Sequence, residues 1–382
     1  MKIVFSKSEL LERLYPTMST VSTKNTIPSI EGVLIETMGG NSVRLSTFDM
    51  NKGIRSMMEA VEVIEEGSYI INAARLLHII KVLDEDELTI EVDESFTATV
   101  SAGRASFSLS AMRGADFPAL PDLDGSRGFE VKSVLLREMI SKVLHSVAEQ
   151  DSRPMLCGAF FRVSEGKMEV ISCDSYSLSR RFAACEWRDV GEVSMLNFSF
   201  LIPGHALSEL VRILGDGDET VTVKIARKHA IFFFNNMIFF TRMIDSEYID
   251  YERIIPKDQT IRVTVNRERM LASLERAGLI AEEKIQGSGR NYVKLVLDGD
   301  RMHITSSSVH GKVFEDLPIT HEGEDLEIGF NCRFLINTMR AADGEEVDLA
   351  FKTPTQSMTV HPHKKEEDHG FFYMVLPIRM NH

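Results

Sequence analysis

Three groups of side chains in this 382-residue chain could do chemistry. Asp174 beside Ser175 and Tyr176 has the residue types of a nucleophilic cluster. A strand-end turn accounts for it better, and no GxSxG elbow, HExxH pair or GxxxxGK[ST] phosphate loop accompanies it. Gly287-Ser288-Gly289 is too short for a dinucleotide fingerprint. His361, His363 and His369 in HPHKKEEDH could ligate zinc or nickel, but a solvated hairpin loop is the simpler reading. Cys157, Cys173, Cys185 and Cys332 form no close pair, which disfavours a zinc site or disulfide framework and suits a reducing cytosol. The expectation is a protein that is not an enzyme and needs no cofactor or metal.

The third group is basic, and it has a pattern. Six segments read as helices: 7–24, 73–83, 133–148, 205–214, 267–281 and 332–341. They hold thirteen lysines and arginines against six acidic residues, a surplus of seven, while the whole chain has a net charge of −14. Arg333, Asn337 and Arg340 fall at i, i+4, i+7, as do Arg269, Ser273 and Arg276. Arg13, Thr17, Thr20 and Lys24 continue one stripe. Arg137, Ser141 and His145, with Lys142 beside them, lie opposite Leu136, Ile140, Val143 and Val147. That spacing puts basic residues on one helix face and apolar residues on the other. A single basic face is usually just solvated. Six in one acidic chain point to a surface that meets a polyanion through its phosphates. No zinc finger or recognition helix is present, so the contact should be blind to sequence.

The elements that carry these faces repeat. SKSELLERL from Ser6, KSVLLREMI from Lys132 and NRERMLASL from Asn266 open helices with one grammar. The segments starting at Asn72, Pro203 and Asn331 each run helix, acidic turn, alternating strand. Phe107, Phe239 and Phe371 begin three closing strands at equal spacing. Three homologous domains follow: 1–121, 128–254 and 260–382, with turn-rich joints at 117–128 and 254–260. Each would be two helices packed on antiparallel strands, an α+β arrangement. Ala98 to Met112 reads as a hairpin around Gly103-Arg104. The amino terminus lacks a secretory signal's long apolar core, and no stretch reaches the ~18 apolar residues of a membrane span. A cytoplasmic protein with no membrane partner is expected.

In Asn25-Thr26-Ile27-Pro28, Gly103 to Pro118, Glu149-Gln150-Asp151 with Arg153, Ile328-Gly329-Phe330-Asn331 and Leu376-Pro377-Ile378-Arg379-Met380, the chain resembles the bacterial β sliding clamp family along its whole length. That resemblance implies three clamp domains forming half of a head-to-tail homodimeric ring around double-stranded DNA. The implied partners are the DNA polymerase III catalytic subunit, the clamp loader and repair proteins. Residues expected to face DNA are Lys24, Arg75, Lys81, Arg137, Lys142, Gln150, Arg212, Arg267, Arg276, Lys284, Arg333 and Arg340. The implied ring interface sets Arg104, Phe107 and Leu109 against Leu279 and Ile280.

The family's partner-peptide groove maps onto Leu156, Cys173, Ser175, Tyr176, Leu178, Ile249, Arg253, Ile254, Asn331, Phe334, Thr355, Ser357, Met374, Val375, Leu376, Pro377, Ile378, Arg379 and Met380. Read without the family, the closing FYMVLPIRM is an edge strand of the last sheet. The sequence departs from the family at Ser175-Tyr176-Ser177-Leu178, where glycine-histidine-arginine-leucine is common, and at Ile249, usually proline. The alternative is a clamp-fold paralogue with altered partner specificity.

Overall fold

The computed structural model describes residues 1–22, 27–121, 123, 127–164, 166–184, 197–281, 292–308 and 311–380. Among these are six α-helices: α1 (Lys7–Thr17), α2 (Ala73–Val82), α3 (Ser133–Ser141), α4 (Gly204–Ile213), α5 (Arg267–Ala281) and α6 (Cys332–Ala341). Each is preceded by one strand and followed by three antiparallel ones, with a short extra strand, Glu62–Glu65 or Thr320–Glu322, in the units of α1 and α5, so the same unit recurs six times. Asparagine starts three of the helices. The Asn72, Asn266 and Asn331 side chains accept from the backbone N–H of Arg75 (3.1 Å), Arg269 (3.0 Å) and Arg333 (3.0 Å). Such caps satisfy N–H groups that the first helical turn leaves without a partner.

Two helices end earlier than the sequence pattern predicts. α1 carries Pro16 in its last turn, and the Thr17 hydroxyl donates to the Leu14 carbonyl (2.7 Å). The chain then tightens into a 3-10 turn, Met18–Thr20. In α3 the Ser141 hydroxyl donates to Glu138 (3.1 Å), and a second 3-10 turn, Leu144–Ser146, follows. Hydroxyl side chains that take helix carbonyls compete with continued α-helix.

The chain divides into two compact units. The first takes the chain up to Val134 together with Arg212–Met243. Its 13-stranded sheet joins strands of the first repeat to strands of the second. The joint is the pairing of Lys52–Glu59 with Met237–Arg242, which sets Ile54 opposite Phe239 and Gly53 opposite Phe240. In the second unit a nine-stranded sheet joins the second repeat to the third through Ser177–Ala184 and His369–Val375, with Arg181 opposite Phe371. A four-stranded sheet completes that unit. The closing strand is therefore interior, between Ser177–Ala184 and Met358–Pro362, and not at an edge.

Helices cover one face of the sheets. In the first unit Leu10, Leu14, Leu76 and Ile80 are fully buried against strand residues such as Val33 and Ile90. In the second, Met270 and Leu274 of α5 meet Leu335 and Met339 of α6. The opposite face of the first sheet carries Leu34, Ile70, Ile231 and Phe240, packed with Phe117, Leu120 and Leu123 of the first joint. The apolar run 230–240 is a hairpin turned at Asn235 and Asn236, both left-handed (φ 46° and 58°). Gly103 (φ 56°) turns the predicted hairpin between Thr97–Ala102 and Ala105–Arg113.

Gly53 is where the first joint is tightest. A Cβ there would lie 2.4 Å from the Phe240 ring and 2.7 Å from the Thr47 carbonyl oxygen. Gly53→Ala should lower stability by about 1–3 kcal/mol through overpacking. Urea unfolding of the full chain measures it, and an unchanged midpoint would show that the joint yields.

Candidate functional site

The basic helix residues divide by what they touch. Arg75, Gln150, Arg212 and Arg333 are exposed, and Arg137 is half-buried. The Lys81 ammonium sits 4.5 Å above the Tyr15 ring. Arg276 bonds Glu315 (2.8 and 2.6 Å), and Arg340 bonds Glu275 (2.7 Å). Lys142 pairs with Asp343 (3.0 Å) in a network that also holds Arg181 and Glu138. The exposed Arg276 and Arg340 pairs contribute about 0–1 kcal/mol, so an anion can compete with their carboxylates. Arg267 is different. It donates to the Gly344 (2.8 Å) and Met339 (3.4 Å) carbonyls and so caps the carboxyl end of α6. Lys24 and Lys284 lie outside the described residues. A polar cleft in the second unit gathers His145, Glu149, His205, Ser208, Arg333 and Asn337. His205 and Ser208 were not singled out in the sequence, because α4 contributes only one arginine.

Five of the residues expected to line a groove come together in the second unit. Leu156, Cys173, Leu178 and Met374 form one buried apolar cluster with Ile171 and Tyr251, and Ile249 packs against it. Tyr248, absent from the sequence reading, stacks on Phe160 (centroids 4.9 Å apart), and burial raises its phenol pKa. Burial also raises the Cys173 thiol, which makes it an apolar wall and a poor nucleophile. The turn before Leu178 is tightly specified. Asp174 accepts from the N–H of Tyr176 (2.9 Å) and Ser177 (2.6 Å), and Ser175 is left-handed (φ 76°). Arg153 donates to the Ser175 hydroxyl and holds Asp151 at about 2.

Beyond Val375 the chain runs past this turn. Leu376 N–H donates to the Tyr176 carbonyl (2.9 Å), and Ile378 N–H donates to Gly329 (2.8 Å). Met380 packs against Gly329, where a Cβ would lie 3.0 Å from its Cγ. Tyr176 stacks on Phe334. Asn331 is occupied as the α6 cap, and Ser357 is nearly buried. Arg253, Ile254, Thr355, Pro377 and Arg379 are exposed or half-exposed.

Two strand edges complete the picture. In Ala105–Arg113, only the last three residues have a partner on the side away from Thr97–Ala102. Lys312–Pro318 is the outer strand of the four-stranded sheet. Phe107 (37%), Leu279 (75%) and Phe314 (64%) are exposed, Leu109 and Ile280 are half-buried, and Arg104 is in the turn. Phe314 was missed because its strand has no marked motif. The histidine loop does not form a metal cluster. No group of three ligating side chains occurs among the described residues. His363 pairs with Asp348 (2.9 Å), and His369 with Glu366 (3.3 Å). No helix among them is long and apolar enough to cross a membrane.

Paired helices on antiparallel sheets, in three repeats with cations gathered on the helices, define the clamp class of protein. Residues 1–121, 130–250 and 252–379 match the N-terminal, central and C-terminal domains of the DNA polymerase III beta subunit. The beta sliding clamp of Bacillus subtilis is 28% identical over 390 residues, covering 99% of this chain and 100% of that one. That of Staphylococcus aureus is 25% identical over 388 residues, 99% of each. The solved B. subtilis clamp superposes with a TM-score of 0.91 at 26% identity, and the Thermotoga maritima beta subunit with 0.88 at 25%, each covering 100% of both chains. The chain belongs to the DNA polymerase III beta subunit family.

Burial lowers the pKa of His145 from 6.5 to about 4. Burial, with help from Arg262 and Lys365, does the same to His361. Between these values the unfolded imidazole takes a proton that the folded one refuses. Each histidine's contribution is therefore complete above pH 6.5 and lost as pH falls through 4. For His145 this is worth about 3 kcal/mol. The urea midpoint should fall between pH 7 and 5, and His145→Gln should flatten that fall. Equal slopes in both proteins would refute the assignment.

Proposed function

We propose that the chain acts as a sliding clamp in which two copies close head to tail around duplex DNA and hold a polymerase to it. As a member of this family it is a DNA polymerase processivity factor. The paralogue alternative is not favoured, since the relatives matched over 99% of the chain are beta sliding clamps. The role needs no catalysis by the clamp. On this reading the protein works with DNA in the cytoplasm.

One observation carries the ring. Phe239 and Phe371 begin equivalent segments of two closing strands, each paired to a neighbouring repeat, and they are buried (0% and 4% exposed). Phe107 stands at the same place in the first repeat and is 37% exposed, with no strand on the side away from Thr97–Ala102. The third repeat has the complementary free edge, Lys312–Pro318, with Phe314 exposed. The rule that pairs the repeats inside one chain thus leaves one donor edge and one acceptor edge. A second copy supplies the partner of each, and two such heterologous contacts close a ring. Buried Phe107 and Leu109 would then meet Leu279 and Ile280, and neither edge would stay open to aggregation.

Inside the ring, Arg75, Lys81, Arg137, Lys142, Gln150, Arg212, Arg276, Arg333 and Arg340 would meet phosphates, with Lys24 and Lys284 from the segments outside the described residues. Arg267 would serve mainly as the α6 cap. Such contacts are weak and indifferent to base sequence, so the protein slides and stays on by enclosure. An acidic exterior keeps DNA from binding elsewhere. The groove of Leu156, Cys173, Leu178, Ile249, Met374 and their rim would take peptide segments of the polymerase catalytic subunit, clamp loader and repair proteins.

The protein should have about twice its 43.0 kDa chain mass in solution. Phe107→Asp should give a folded monomer that no longer stays on nicked circular DNA after loading. A wild-type monomer at micromolar concentration, or retention that survives linearising the circle, would refute enclosure. Separately, removing residues 376–382 spares the interior strand and should weaken binding of a polymerase-derived peptide at least about tenfold. Unchanged affinity would move the peptide site elsewhere.

A further inference from the structure

A group of cations in the first unit sits off the helices. Asp49 accepts from the backbone N–H of Asn51 (2.9 Å) and Lys52 (2.8 Å). That turn sets Met50 in a left-handed conformation (φ 76°) that methionine seldom takes, and leaves it 47% exposed. Arg242 N–H donates to the Asn51 carbonyl (2.8 Å), and Met243 N–H to the Lys228 carbonyl (2.8 Å). The Met50 turn, the strand end at Arg242 and the turn of Arg227 and Lys228 thus form one surface. Arg227, Lys228 and Arg242 are exposed, and among the described residues no ion pair engages any of them. Arg242 lies directly opposite His229. Burial, then the charges of Arg242 and Lys228, push the His229 imidazole below its ordinary pKa, and no carboxylate opposes them. The fold does not need these cations. The same turn recurs at 174–177, with Ser175 at φ 76° and the N–H of Leu376 in the place of Arg242.

We propose that Met50, Arg227, Lys228 and Arg242 form a docking surface for an acidic protein segment that carries an apolar side chain. The surface shares no residue with the basic helix faces or with the apolar cluster of the second unit. Carboxylates of the segment pair with the three cations, and its apolar side chain covers the adaptable thioether of Met50. A nucleic-acid backbone gains nothing from Met50, and three cations hold it only weakly. The net charge of −14 disfavours an acidic segment over the rest of the chain, so the cations decide where it lands.

The test titrates full-length protein, at about 50 mM salt, into three fluorescein-labelled probes. They are the peptide Asp-Glu-Leu-Asp-Glu-Leu, its amide counterpart Asn-Gln-Leu-Asn-Gln-Leu, and a thymidine hexamer. The acidic peptide should bind at least about fivefold tighter than the amide one. Arg227→Gln, Lys228→Gln and Arg242→Gln together should remove that advantage. Met50→Gly suits the left-handed backbone, so a loss of about twofold or more in its affinity reports the missing side chain and not damage to the turn. The same variant identifies, among the 19 methionine methyl signals of the labelled protein, the one that should shift when acidic peptide is added. Equal Kd values for the two peptides, no measurable binding of the acidic one, an advantage that survives the triple variant, or an unmoved Met50 methyl each overturns the proposal. A thymidine hexamer that binds tighter than the acidic peptide, and depends on the same three cations, makes this a nucleic-acid surface and overturns it as well.

Discussion

Unpaired backbone groups along the edge of an antiparallel sheet govern how this chain is put together. Six strand–helix–three-strand units each end in a strand with one side open. Within the chain, four of those six strands find each other: Lys52–Glu59 with Met237–Arg242, and Ser177–Ala184 with His369–Val375. Each pairing satisfies a row of N–H and C=O groups and buries a phenylalanine in the same stroke. The domain boundaries suggested by the repeat therefore do not coincide with the sheets. The central repeat gives its first strand, Arg127–Lys132, and its last three, between Thr220 and Arg242, to one sheet and its four middle strands to the other.

Charge is organised by the same architecture. Helices cover one face of the sheets, so a basic stripe on a helix becomes a basic surface wherever helices lie side by side, as α1 and α2 do in one unit and α5 and α6 in the other. The negative total says little about this surface. Several of its cations rest on nearby carboxylates, as Arg276 does on Glu315 and Arg340 on Glu275. Those carboxylates moderate the positive charge of the surface.

Much of this was legible in the sequence because periodicity and spacing encode it. The 3.6-residue stripes gave all six helices, and the equal spacing of Phe107, Phe239 and Phe371 marked equivalent strands. What failed was local competition. Pro16, Thr17 and Ser141 side chains stopped helices that the apolar pattern would have continued. Pairing between distant strands was also hidden, since no local signal distinguishes an edge from an interior strand. The closing strand was misjudged for that reason, and Phe314 overlooked. Of the residues that matching to the family collected, Leu156, Cys173, Leu178, Ile249 and Met374 cluster, yet the matching could not show that Asn331 is a helix cap or that Tyr176 stacks on Phe334. Those facts depend on neighbours far away in the chain.

The split central repeat also bears on how the protein is made. During synthesis the strand Lys52–Glu59 emerges long before Met237–Arg242, its partner. The ribosome must extend the chain by well over a hundred residues before the first large sheet can close, and the second waits for the last strand of all, His369–Val375. Until then each nascent half exposes an adhesive border. Chaperone shielding, or slow release from the ribosome, would matter more for this molecule than for one whose domains each close on themselves.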